Sequence, residues 1–200
     1  MTTFFVLEVR AESACRLLNL TVGLHRAGVS APRSSTRPVS RLASPAFDGL
    51  QVQRQGTLLR MLSITEHFCV DRLLDLAEQE VQPSNSRVRS QMWDRASAGA
   101  IGTWQGIQDS YKQWYSINPG WTRLNQLVEV RNAIAHGLGS LTRLQTTKRQ
   151  SAVTKITDAG VRLEDDRIVL EEANLDHARR VCVDLITDID ALVQGLAPRV

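Results

Sequence analysis

The chain has 200 residues, of which 42% are hydrophobic and 22% charged; this suits one folded domain with a real core and excludes a globally disordered chain. The net charge of +3, from 24 basic and 21 acidic residues, is too small to argue by itself for a nucleic-acid partner. No apolar run reaches the length of a membrane span, and the three dispersed cysteines, Cys15, Cys69 and Cys182, have no metal-ligand spacing and fit a reducing, cytoplasmic compartment.

In chain order, residues Thr2 to Ala27 can form an amphipathic helix. The stretch from Ser30 to Pro45 is rich in Ser, Pro and Arg and reads as a linker. Residues 1–46 are therefore expected to be a poorly ordered arm, with the folded domain spanning 47–200. Glu8 and Glu12 argue against an organelle transit peptide. From Gln51 to Gln82 the residues Leu58, Leu59, Leu62, Phe68, Cys69, Leu73, Leu76 and Ala77 follow helical spacing, and Pro83 ends the run.

A second helix is predicted over Ala96–Ile117, with Trp104, Ile107, Tyr111 and Trp114 on one stripe that reads as core. Asn118-Pro119-Gly120 is a turn. A third helix follows over Trp121–His136, stopped by Gly137 and Gly139, and a fourth over Leu141–Thr157. Two β-branched runs flanking Glu164-Asp165-Asp166 predict a small hairpin. Asn174 is expected to cap a last helix from Leu175 to about Leu196, with Val181, Leu185, Ile189 and Leu192 as its stripe. The predicted fold is all-α: an antiparallel up-and-down helical bundle with a β-hairpin inserted before the last helix.

The third helix carries the chemistry. Leu127-Val-Glu-Val-Arg131-Asn132-Ala-Ile-Ala-His136-Gly137 brings an Arg, an Asn and a His to one helix end. On an ideal wheel Leu124, Leu127, Val128, Ile134 and Ala135 form the core stripe, and Glu129, Asn132 and His136 another face. Arg131 and His136 are separated by roughly 140°, so only a long side chain, or a partner subunit, closes the gap. His moves protons near neutral pH, Arg grips a phosphate in two bonds, and Asn orients the ring or bonds a phosphate oxygen. The trio suits attack of an RNA 2′-hydroxyl on the neighbouring phosphorus, which needs no metal. The same residues also suit a capping and salt-bridge arrangement at a helix end.

No acidic residue occurs from Val130 to Thr157, a stretch that carries Arg131, Arg143, Lys148, Arg149 and Lys155. This reads equally as a solvated face and as a phosphate-backbone footprint in which Arg143, Lys148 and Arg149 contact RNA. His67 and His177 read as surface or helix-end histidines.

The segment Val130-Arg131-Asn132-Ala-Ile-Ala-His136-Gly137 resembles the signature of HEPN domains, an Arg, four to six intervening residues and then a His, often with Asn directly after the Arg. Arg60-Met-Leu-Ser-Ile-Thr-Glu66-His-Phe resembles the first core helix of the HEPN branch associated with RiboL-PSP proteins. Trp104-Gln-Gly-Ile107, Leu124 to Val130, Gly139-Ser-Leu-Thr142 and Asp184-Leu-Ile-Thr-Asp-Ile-Asp190 are similar to that branch too. The resemblance covers Phe47 to Leu196.

The resemblance implies a helical bundle that forms a homodimer with two motifs facing one cleft. It implies a metal-independent endoribonuclease acting on RNA in a toxin–antitoxin, phage-defence or RNA-processing setting, with an antitoxin or associated system protein as partner. Arg131 and His136 would be catalytic, with Asn132 in support. Glu66 would orient Arg131 or His136, or serve as a structural carboxylate paired with Arg131. Some HEPN toxins carry a Tyr two residues after the His, where a partner modifies it; Leu138 stands there in this chain. Other HEPN domains are non-catalytic nucleotide-binding or interaction modules, which is the alternative reading. Neither a cofactor nor a metal is expected.

Overall fold

The computed structural model describes residues 2–30, 48–80 and 97–196. The fold is all-α, a helical bundle with a small β-hairpin before the last helix. Its described elements are α1 (Thr2–Ser30), α2 (Gly49–Glu80), a helical turn at 97–101, α3 (Trp104–Tyr115), α4 (Thr122–Gly137), α5 (Arg143–Thr147), α6 (Arg149–Asp158), β1 (Arg162–Glu164), β2 (Arg167–Val169) and α7 (Glu172–Gln194). Among the described residues no helix is long and apolar enough to cross a membrane. The chain divides into two compact units.

The first unit takes the described residues within Met1–Cys15, Ile64–Trp121 and Asp184–Val200. Trp104, Ile107 and Tyr111 of the aromatic stripe are buried, while Trp114 is half-buried. The Tyr111 hydroxyl donates to the Cys69 carbonyl at 2.8 Å, and its ring lies 5.9 Å from that of Trp121. Arg72 is buried and donates from Nη2 to Asp190 Oδ1 at 2.7 Å, and Gln194 donates to Asp190 Oδ2 at 2.8 Å. The helix expected over Ala96–Ile117 is interrupted. Gly102 and Thr103 leave it, and Thr103 becomes the extended N-cap of α3, accepting from the Gly106 N–H at 3.0 Å.

The second unit comprises Arg16–Ser63 and Thr122–Val183. Leu18, Thr21, Val22 and His25 of α1 are buried at helical spacing. Arg26 makes two bonds to Asp176, at 2.7 and 2.8 Å, and Arg179 donates to Asn19 at 3.0 Å. Residues 16–30 are thus built into a compact unit instead of forming part of a loose arm, because this helix has an apolar face of its own. The Ser/Pro/Arg-rich stretch from 31 to 47 lies outside the described residues, as does Pro83.

Three further details differ from expectation. The predicted fourth helix is two helices, because Lys148 leaves helical geometry at φ −107°, ψ 37°. Asn174 does not precede the last helix; it sits inside α7, accepts from the Glu171 N–H at 2.7 Å, and donates to the Gly160 carbonyl at 2.8 Å. Leu192 is exposed and Val193 takes its place in the core. The hairpin pairs Leu163 with Ile168, and its turn residues Asp165 and Asp166 both have positive φ, 45° and 67°, as the tight turns favoured by strand twist require.

Candidate functional site

Helix α4 packs on α6 and β2. Its buried residues are Leu124, Leu127, Val130, Ala133 and Ile134. Val128 is half-buried and Ala135 exposed, so the stripe is rotated from the expected one: Val130 and Ala133 face inward in place of Val128 and Ala135. That rotation leaves Arg131 and Asn132 half-buried and His136 exposed at the helix end.

Arg131 closes the gap to His136 within one chain. Its Nη1 donates to His136 Nε2 at 3.0 Å and to Asn132 Oδ1 at 3.3 Å. A guanidinium has only donors, so Nε2 is the acceptor and the ring in this pair is the neutral tautomer with its proton on Nδ1. Both contacts use Nη1, so among the described residues Nη2 and Nε of Arg131 make no hydrogen bond. His136 lies in the last turn of α4.

The helix end is held from two sides. After Gly137 the chain turns through Leu138 and Gly139, with φ of 52° and 87°. The loop then runs beside the hairpin: Ile168 N–H donates to Gly139 O, and Leu141 N–H to Asp166 O, both at 2.8 Å. On the other side Gln145 is buried. Its Nε2 donates to the Glu129 carbonyl at 2.9 Å and to Glu129 Oε1 at 2.8 Å, while its Oε1 accepts from the Thr142 N–H at 3.0 Å. Gln145 therefore ties the start of α5 to the middle of α4.

The structure sorts the basic residues. Arg149 pairs with Asp166 at 2.5 Å and Lys155 with Glu129 at 3.5 Å, although both partners are outside or at the edge of the acid-free stretch in sequence. Arg143 and Lys148 are exposed without an ion pair among the described residues. Glu66 is half-buried on α2 and falls in the first unit, whereas Arg131, Asn132 and His136 belong to the second. His67 is exposed and faces Asp71 at 3.4 Å. His177 is half-buried, and burial together with Arg180 and Arg123 lowers its pKa from the usual histidine range.

One polar cluster in the second unit has no counterpart in the sequence reading. The His25 side chain is buried; its Nδ1 lies 3.0 Å from Thr57 Oγ1 and its Nε2 lies 3.1 Å from Glu172 Oε1. Arg54 donates to the same Glu172 oxygen at 2.9 Å and to the Leu170 carbonyl at 2.9 Å. Burial alone raises the Glu172 carboxyl, but hydrogen bonds from Arg54 and His25, with their charges, outweigh it and hold its pKa below the usual range. The available sequence signal was the spacing of His25 with Leu18, Thr21 and Val22.

Comparison of the chain with family models, with curated proteins and with solved structures gives no match in any of the three.

Proposed function

We propose that this protein is a metal-independent endoribonuclease of HEPN type, with Arg131 and His136 as its catalytic pair and Asn132 in support. The observation that carries the reading is the 3.0 Å contact between Arg131 Nη1 and His136 Nε2 at an exposed helix end. A neutral imidazole beside a guanidinium joins a proton acceptor to a phosphate-binding group. In the reaction, Arg131 turns from His136 to the scissile phosphate and His136 Nε2 takes the proton of the ribose 2′-hydroxyl. The 2′-oxygen attacks phosphorus, the 5′-oxygen departs and takes a proton from water, and the His136 imidazolium then gives its proton to the hydroxide left behind. The products are a 2′,3′-cyclic phosphate and a 5′-hydroxyl end.

Exposed Arg143 and Lys148 support a path for the RNA backbone near this helix end. A homodimer would bring two such pairs to one cleft, and an antitoxin or other system protein would be the natural means of restraint. The test is RNA cleavage in excess EDTA by the unaltered protein and by His136→Ala. Cleavage by the first alone supports the reading, and equal cleavage by both removes His136 from the centre.

A second reading, a non-catalytic nucleotide-binding or interaction module, is favoured by one observation: His136 Nε2 is already occupied by Arg131. Under it Arg131 grips phosphate and His136 only orients Arg131. His136→Ala would then keep nucleotide affinity while neither protein cut RNA.

A further inference from the structure

A groove of about 700 Å³ opens in the second unit between α2, the end of α4 and the hairpin. Its apolar walls are Val52, Leu59, Ile134, Leu138 and Ile168. Leu138 is 92% exposed and in the left-handed region, so a bulky apolar side chain is held out over the groove mouth at a conformational cost. At the rim, Arg162 and Arg167 are balanced by Asp48 and Glu164, and Arg162 lies 3.2 Å from Glu164.

Ile134 and Leu138, which line the groove, flank His136 at the end of the helix segment that carries Arg131. Ile134 follows Arg131 by three positions on α4, and Leu138, just past the helix end, is two residues beyond His136, within about 7.6 Å from Cα to Cα. Gly139 allows one more approach: a Cβ there would meet Gln55 Nε2 at 2.9 Å, and its φ of +87° suits glycine. The Gln55 carboxamide thus lies over the loop that follows His136, inside the groove. Among the described residues it has no hydrogen-bond partner.

We propose that this groove is a nucleobase pocket: it takes the base of an RNA nucleotide whose phosphate lies at Arg131 and His136, and the Gln55 carboxamide reads the edge of that base. The inference rests on the phosphate-binding reading of Arg131. Its volume lies in the range of small-ligand sites. Its charges cancel and its walls are apolar, which suits an uncharged planar base; the phosphate falls to Arg131 outside it. A carboxamide presents a donor and an acceptor side by side, the pattern that pairs with base edges in two bonds, and RNA recognition reads unstacked bases in this way.

The test uses the full chain, the four ribonucleoside 3′-monophosphates and inorganic phosphate as probes, with affinities from calorimetric titration. At least one nucleotide should bind about tenfold tighter than phosphate, the scale of one bidentate base contact. Gln55→Leu should erase the preference among the four and leave phosphate affinity unchanged, and Arg131→Ala should weaken nucleotides and phosphate alike. A Gln55→Glu variant with a matching unfolding midpoint guards against misfolding and should reorder the preference. Nucleotides binding no tighter than phosphate, or a preference that survives Gln55→Leu, overturns the proposal. So does a Leu138→Asp variant that halves the mass in solution while nucleotide affinity stands, which would make the groove a subunit interface. Cleavage is scored separately: RNA cutting without base preference overturns the pocket alone, and base preference without cutting overturns the nuclease alone.

Discussion

Arg131 and His136 are joined by a hydrogen bond of 3.0 Å between Nη1 and Nε2, across five positions of one helix. The bond exists only while the imidazole is neutral, since two cations would not share it. An incoming phosphate therefore competes with His136 for Arg131.

The first prediction concerns that exchange. His136→Ala should lower kcat/KM on single-stranded RNA by about 10²–10⁴, the usual worth of a positioned acid–base group. Arg131→Lys should also fall steeply, because an ammonium keeps the charge and loses the planar fork. His136 is exposed, so His136→Ala should unfold at the same midpoint as the unaltered protein. A large drop in midpoint would mean that His136 is structural.

A second prediction concerns the brace behind the pair. Gln145→Ala removes three hydrogen bonds of a buried amide, two of them to Glu129. The cost should be about 1–3 kcal/mol, because the freed partners include groups shielded from water. Urea unfolding measures it. No change would show that Gln145 is incidental to the seating of α5 on α4.

The motif was legible because its chemistry is local: Arg131, Asn132 and His136 share one helix, and spacing alone places them at its end. Its phase was less so. Whether Val128 or Val130 faces inward depends on where α6 and β2 press on α4, and neither surface is encoded in α4 itself. The break at Lys148 was hidden for a similar reason, since α5 is anchored by Gln145 to a carbonyl sixteen positions earlier. The His25 cluster joins residues of α1, α2 and α7, and no pattern within one segment announces such a meeting. By contrast the hairpin was plain, because Glu164-Asp165-Asp166 between β-branched runs is turn chemistry in itself.

A third prediction addresses the buried ion pair of the first unit. Arg72 is 1% exposed, and its Nε and Nη1 have no hydrogen-bond partner among the described residues. Asp190→Asn should cost about 3–5 kcal/mol, because it strands a buried charge. Replacing both partners with apolar residues, Arg72→Met with Asp190→Leu, should recover most of that loss. Chemical unfolding of the three variants decides it: if the double variant is no more stable than Asp190→Asn, the pair contributes through more than mutual compensation.

The last prediction is a pH dependence. Glu172 has its pKa lowered in the folded chain by Arg54 and His25. A depressed carboxyl binds fewer protons when folded than when unfolded, so stability rises with pH across the interval between the two values. The contribution of Glu172 is full above the unfolded carboxyl pKa, about 4.3, and is lost as pH falls through the lower folded value. Glu172→Gln should remove that part of the acid slope while leaving a neutral amide able to bond Arg54 poorly. Unfolding midpoints of both proteins should converge as the pH is taken below about 4 and separate toward neutrality. Parallel curves over the whole range would show that Glu172 carries no proton linkage, and that the anchoring of α1 through His25 rests on packing alone.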